Sequence, residues 1–238
     1  MFLVSTLSAS KISNKVATPM NKKFQQIIGT IIQPIVLILA TLLATSSYAD
    51  TVSPQVLLEK VTKATFERIE LDQQNIQSNP DHLRAIIEQE LMPHIDHKFA
   101  AFKVLGSQFR AVPKDKIPEY VDEFKEYLVS NFAVVLASYG GQELVFEPVK
   151  DAENQSDMTI KAIIRKAGNP DIRISFKLRK SNNTQEWKTY DLVAEGISLL
   201  SSKRNEFASI IRQQGIQAVI DIMRDKNSKP LNIASNVN

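Results

Sequence analysis

No cysteine occurs anywhere in the 238 residues. That absence excludes disulfides, thiol catalysis, a Cys-ligated metal and the lipobox cysteine that tethers a bacterial lipoprotein. Glycine is scarce, with 7 residues; they form neither G-x-G-x-x-G nor a P-loop, so nucleotide phosphates find no Gly-rich cradle. The only histidines are His82, His94 and His97. None follows Ser198, and Glu195-Gly196-Ile197-Ser198 lacks the second glycine of a nucleophile elbow.

Acid is also missing from the start of the chain. No Asp or Glu precedes residue 50, whereas Lys11, Lys15, Lys22 and Lys23 all do. Those four account for the formal charge of +3: without them 25 of the 29 basic residues stand against 26 acidic ones. The remainder is close to neutral and offers no basic footprint for nucleic acid.

That leading stretch has the parts of a secretory signal. Met20-Asn21-Lys22-Lys23 is a cationic start, Ile31 to Ala44 is apolar, and Ser47-Tyr48-Ala49 places small residues where signal peptidase needs them. Residues 1–49 are therefore expected to be a signal peptide, with Met20 as an alternative start and Asp50 as the first mature residue. The apolar stretch from Ile27 to Ala44 is also about long enough for an uncleaved anchor. Pro34 and the Ser-rich end favour cleavage, which would free the mature protein from the membrane.

The chain as a whole has an ordinary globular composition, with 43% hydrophobic and 23% charged residues, enough for one core. One domain over residues 50–226 is expected, with a flexible polar tail at 227–238. Pro54 after Ser53 starts a helical pattern that continues to Ile76, and Asn79-Pro80-Asp81 starts another that ends at Pro93. A segment from Ile95 stops at Gly106. The strongest stripe is Ile117, Val121, Phe124, Leu128, Phe132, Val135 and Tyr139, widened by Tyr120, Tyr127, Val134 and Leu136. So broad an apolar face must be covered on more than one side or line something apolar.

After Gly140-Gly141 the period changes to two. Glu143–Glu147, Met158–Lys166, Asp171–Lys180 and Glu186–Ala194 read as four antiparallel strands. In the third, Ile172, Ile174, Phe176 and Leu178 alternate with Arg173, Ser175, Lys177 and Arg179, so one face is buried and one is wet. Helix returns at Ser201–Gly215 and again from Ile216. The fold class is α+β, with helices packed on a curved four-stranded antiparallel sheet.

Three groups of residues suggest chemistry. Glu90, His94 and His97 have helical metal-ligand spacing, but Pro93 interrupts them and a solvated cluster is the simpler reading, so no metal is expected. Lys161, Arg165, Arg173, Lys177 and Arg179 project to one sheet face, either as a solvated surface or as a dock for an anionic partner. Asp191, between Tyr190 and Leu192, and Glu195 could act as a general base in an apolar pocket; structural hydrogen bonding is the simpler role. No catalytic residue is assigned.

Several stretches resemble the MlaC (toluene-tolerance) family over nearly all of residues 54–226. They are Leu91-Met92-Pro93-His94-Ile95-Asp96, Val104-Leu105-Gly106 with Phe109-Arg110, Phe124-Lys125-Glu126-Tyr127-Leu128, and the run from Trp187 through Leu199 with Arg204-Asn205-Glu206-Phe207 after it. Pro118 and His97 depart from the family pattern.

The resemblance implies a monomeric periplasmic phospholipid carrier that is not an enzyme and needs no cofactor besides its bound lipid. It implies a route between an outer-membrane lipoprotein complex and the MCE-domain subunit of an inner-membrane ABC transporter, which maintains outer-membrane lipid asymmetry. A carrier of another apolar ligand, such as a hopanoid or quinone, and a pocket enzyme based on Asp191 are the alternatives. With a lipid in view, the apolar sides of the long helix and the sheet become the expected lining: Phe124, Leu128 and Phe132, with Ile160, Ile174, Phe176 and Leu192. Tyr190 shares the strand parity of Leu192 and is expected at the glycerol or the cavity mouth.

Overall fold

The computed structural model describes residues 53–149, 155–181 and 184–231. The expected signal peptide, its cleavage site and the part of the expected tail beyond Leu231 lie outside the described residues.

Helix α1 (Pro54–Leu71) has its proline in the first turn, where the backbone N–H has no helical partner to lose. It breaks at Asp72, whose carboxylate accepts from Arg68 at 2.7 Å and meets His82 at 2.8 Å. The pattern that reaches Ile76 is thus carried by a second helix, α2 (Gln73–Ser78). Next come α3 (His82–Glu90), a 3-10 turn at Met92–His94, and α4 (His97–Leu105). Asp96 caps α4 by accepting the Phe99 N–H at 3.0 Å. Gly106 ends it with φ +52°, a backbone conformation that favours glycine, and the Arg204 guanidinium packs against it, Nε 2.5 Å from where a Cβ would stand. The long helix α5 (Lys116–Leu136) holds Pro118 in its first turn.

The sheet contains β1 (Glu143–Phe146), β2 (Asp157–Arg165), β3 (Ile172–Lys180), β4 (Trp187–Ala194) and β5 (Ile197–Ser198), antiparallel and in sequence order. It has five strands where alternation predicts four. Glu195 (φ 48°) and Gly196 (φ 80°) make a two-residue turn with both residues left-handed, which pairs Val193 with Ser198 and Ala194 with Ile197. A two-residue strand is too short to leave an alternating signal.

Ser198 then caps α6 (Leu199–Gln214), accepting the Ser201 N–H at 2.9 Å. Gly215, with φ 81°, separates α6 from α7 (Ile216–Ser228). The described part of the expected polar tail is pinned. Leu231 is buried, its N–H donates to Asp81 at 3.2 Å, and Arg84 donates to the Lys229 carbonyl at 2.8 Å. The Leu231 side chain and these hydrogen bonds, together with those from Asn227 to Glu123, hold a segment whose composition is otherwise polar.

Buried side chains form three clusters. One joins α4 to α7 around Tyr120, Phe124, Phe207 and Ile220. A second lies between α1, α3 and the end of α5, around Ile69, Ile86, Ile87 and Ala133. The third packs Leu58 of α1 on Met158, Ile160, Leu178 and Trp187 of the sheet. Burial pushes the Tyr120 phenol far above its ordinary pKa, and its hydroxyl donates to the Ala101 carbonyl at 3.1 Å.

Candidate functional site

Between these clusters lies a cavity of about 170 Å³ with an almost wholly apolar wall. Each cluster supplies part of it: Phe124 and Tyr127 from the first, Phe132 with half-buried Leu128 from the second, Leu58 and Phe176 from the third. The remaining wall comes from Val61 and Thr62 of α1, from Leu91, His94 and Ile95 before α4, from Ala100 and Val104 within it, and from Leu199, Leu200 and Lys203 of α6.

Of the residues expected at the lining, the structure brings Phe124, Leu128, Phe132, Phe176, Tyr190 and Leu192 to the cavity. It places Ile160 and Ile174 elsewhere. Ile160 is 0% exposed within the sheet cluster under Leu58, and Ile174 is buried between Ala162 and Ala194 on the neighbouring strands. Strand parity identifies the apolar face but not which part of that face the helices leave uncovered.

Tyr190 arrives there by a different route from parity. Lys177 pairs with Asp191 and Leu178 with Thr189, so Tyr190 is the extra residue of a β-bulge. All four residues from Thr189 to Leu192 reach the cavity wall as a result. The Tyr190 ring meets Phe99 edge-on at 5.1 Å, and burial raises its phenol pKa. Leu58, Val61 and Tyr127 belong to patterns visible in the sequence, whereas no pattern marks Leu200 or Lys203 as facing inward.

Asp191 is 6% exposed and fully engaged. Its Oδ2 accepts the Ser198 hydroxyl at 2.8 Å and lies 3.1 Å from Lys177 Nζ, and its Oδ1 accepts the Leu200 N–H at 3.1 Å. This geometry ties the sheet to the start of α6 and leaves neither oxygen aimed at a substrate. Glu195 sits in the exposed β4–β5 turn and accepts the Arg173 N–H.

Glu90, His94 and His97 fall on three separate elements, and among the described residues no group of three His, Asp or Glu side chains could hold a metal ion. Burial depresses the His94 pKa, and the nearby Lys188 charge adds to the effect. Lys203 behaves oppositely: burial works against its charge, but hydrogen bonds to Glu206 and Tyr127 outweigh burial and raise its pKa.

The basic set on the sheet is partly neutralised. Arg165 pairs with Asp171 at 3.3 Å, Lys177 with Asp191, and Arg179 with Asp96 at 2.7 Å while stacking on Phe99. Lys161 and Arg173 remain exposed.

An α+β shell around an apolar cavity, with its buried acid spent on structure, defines a binding protein for an apolar ligand. The chain belongs to the MlaC family, whose model matches residues 59–225. It is 30% identical over 195 residues to the intermembrane phospholipid transport system binding protein MlaC of Haemophilus influenzae, covering 82% of this chain and 91% of that protein. The fold is similar to that of a phospholipid-binding protein from Ralstonia solanacearum solved in complex with a phospholipid. That match has a TM-score of 0.65 and 20% identity, and covers 73% of this chain and 96% of the other. Among the described residues no helix is long and apolar enough to cross a membrane.

Proposed function

We propose that this protein is a periplasmic phospholipid carrier that encloses acyl chains in the cavity between α1, α5, α6 and the sheet and leaves the headgroup in water. The observation that carries the reading is the apolar wall shared by Phe124, Leu128, Phe132, Phe176 and Leu192 in a chain of the MlaC family.

The physical need is large. Each buried methylene is worth about 0.8 kcal/mol, so exposing two long acyl chains to water costs on the order of 20 kcal/mol. A lipid crossing an aqueous compartment therefore travels enclosed. Sites for drug-sized ligands span roughly 300–1,000 Å³, well above the 170 Å³ found here. Two tails must part the clusters that meet at the cavity, so the wall is a seam between three packed units.

In this reading the carrier moves lipid between an outer-membrane lipoprotein complex and the MCE-domain subunit of an inner-membrane ABC transporter, maintaining outer-membrane asymmetry. ATP is consumed by the transporter, and this chain performs no chemistry. The support for that route is the relative's place in an intermembrane phospholipid transport system.

Solvent extraction of the purified protein, with mass spectrometry of the extract, should return about one phospholipid per chain. Extraction of a hopanoid or quinone in its place would make the protein a carrier of that ligand. Protein free of any lipid after gentle purification and after incubation with phospholipid vesicles would overturn the carrier reading.

A further inference from the structure

We infer that Lys203 reads the phosphodiester of the bound lipid, selecting phospholipids against neutral two-tailed lipids while ignoring the alcohol beyond the phosphate. This inference rests on the proposed carrier function and names the ligand chemistry that the cavity would recognise.

Among the described residues Lys203 is the sole Lys or Arg side chain on the cavity wall, and the sole carboxylate there, Asp191, is already held by Ser198, Leu200 and Lys177. Lys203 follows Leu200 by three residues and Leu199 by four, so helix geometry sets it beside both leucines on the cavity side of α6. Leu199 is 46% exposed and lines the cavity as well, which places an opening to solvent beside the first turn of α6. A phosphodiester is the first charged group beyond a pair of acyl chains. A cation beside the opening of an apolar space lies where that group emerges.

Packing alone does not require an amine at this position, because a leucine or methionine would fill the wall without desolvating a charge. The Lys203 ammonium lies 5.5 Å from the Tyr127 ring centre and 6.0 Å from that of Phe207. Lys226 approaches the same Tyr127 ring at 5.2 Å and donates to the neutral Asn131 amide oxygen at 2.6 Å. Two positive charges therefore flank one cavity-lining phenol, and the carboxylate bonded to this pair is Glu206, 2.6 Å from Lys203. That ion pair spans one helical turn, with side chains 35% and 46% exposed. Exposed pairs of this kind are weak, and an ammonium has three donors to share. An incoming phosphate can be bound without breaking a strong contact.

The test loads the full-length mature protein from vesicles containing phosphatidylglycerol and diacylglycerol with identical tails and compares bound with vesicle composition by mass spectrometry. Wild type should enrich the phospholipid over diacylglycerol by about tenfold, the scale of one charge-assisted hydrogen bond. Lys203→Gln and Lys203→Met should bring the ratio of bound phospholipid to bound diacylglycerol close to that of the vesicles, and Lys203→Arg should keep the preference. Replacing phosphatidylglycerol with phosphatidylethanolamine should leave all of these ratios unchanged.

Enrichment that persists in both neutral variants would overturn the inference and leave the carrier reading standing. A wild type that takes up neither lipid would overturn both. Loss of the preference in the presence of millimolar inorganic phosphate would show a free-anion site and overturn the assignment to a lipid phosphate.

Discussion

The hydroxyl of Ser198 lies 2.8 Å from Oδ2 of Asp191, and the carboxylate's other oxygen takes the Leu200 N–H. One buried acid thus fastens β4 to the first turn of α6 and, through Lys177, to β3. Asp191→Ala removes all three contacts and should cost about 3 kcal/mol, the scale for stripping a buried, hydrogen-bonded carboxylate from its partners. Asp191→Asn keeps an acceptor for the helix and should cost less, with bound lipid unchanged. Urea denaturation and lipid quantification check both. A turnover abolished in the Asn variant at constant lipid content would restore the general-base role.

Core and cavity can be separated by paired substitutions. Phe132 is half-buried on the cavity wall, whereas Ile160 is enclosed under α1. Phe132→Glu should leave a folded protein without bound lipid, because a carboxylate among methylenes is costly to desolvate. Ile160→Ala should lower stability by about 2–5 kcal/mol and keep the lipid. Native mass spectrometry and circular dichroism read the two effects, and the opposite pattern would exchange the roles of the two positions.

The α+β order and the direction of most elements were legible in the sequence because the period of α5 is nearly unbroken and β3 alternates cleanly. The expected lining was read in the same way, and the structure places its α5 members, Phe124, Leu128 and Phe132, on the cavity. Ile160 and Ile174 differ because periodicity describes one element at a time, while the position of a cavity depends on where a separate helix, α1, crosses the sheet. The bulge at Tyr190 and the two-residue β5 depend on pairing across strands, which no local pattern encodes. Lys203 was illegible for another reason: a lone lysine in a helix reads as solvated surface, and only the packing of α6 turns it inward.

Acidification should weaken the fold through its histidines. Burial depresses the pKa of both His94 and His97, reinforced by Lys188 and Lys125 respectively. The unfolded chain therefore binds more protons than the folded one as pH falls below the ordinary histidine value of about 6.5. Stability should be complete above that pH and decline from it toward the lower folded-state values. Denaturation midpoints of wild type and the double variant His94→Gln, His97→Gln, compared at about pH 7.5 and pH 5.5 to bracket that value, should show a smaller loss in the variant. An equal loss in both would assign the acid sensitivity to other groups.

The contact between Leu231 and the α3–α5 cluster is open to a direct test. Leu231 is 8% exposed and packs with Ile86, Ile87 and Ala133, on a segment that composition alone assigns to a loose tail. Burial of a leucine side chain is worth about 1.5–3 kcal/mol, so Leu231→Ala should cost about 2 kcal/mol. Leu231→Asp should cost more, because it sets a carboxylate against apolar neighbours and beside Asp81, which accepts the residue's own N–H. Arg84→Ala removes the hydrogen bond to the Lys229 carbonyl and should make the Leu231 substitutions less damaging, since the segment is then less firmly held before the side chain is lost. A double-mutant cycle on urea midpoints measures that coupling. Strict additivity, with Leu231→Ala within about 0.5 kcal/mol of wild type as for an ordinary surface site, would return the segment to the loose tail that its composition suggests.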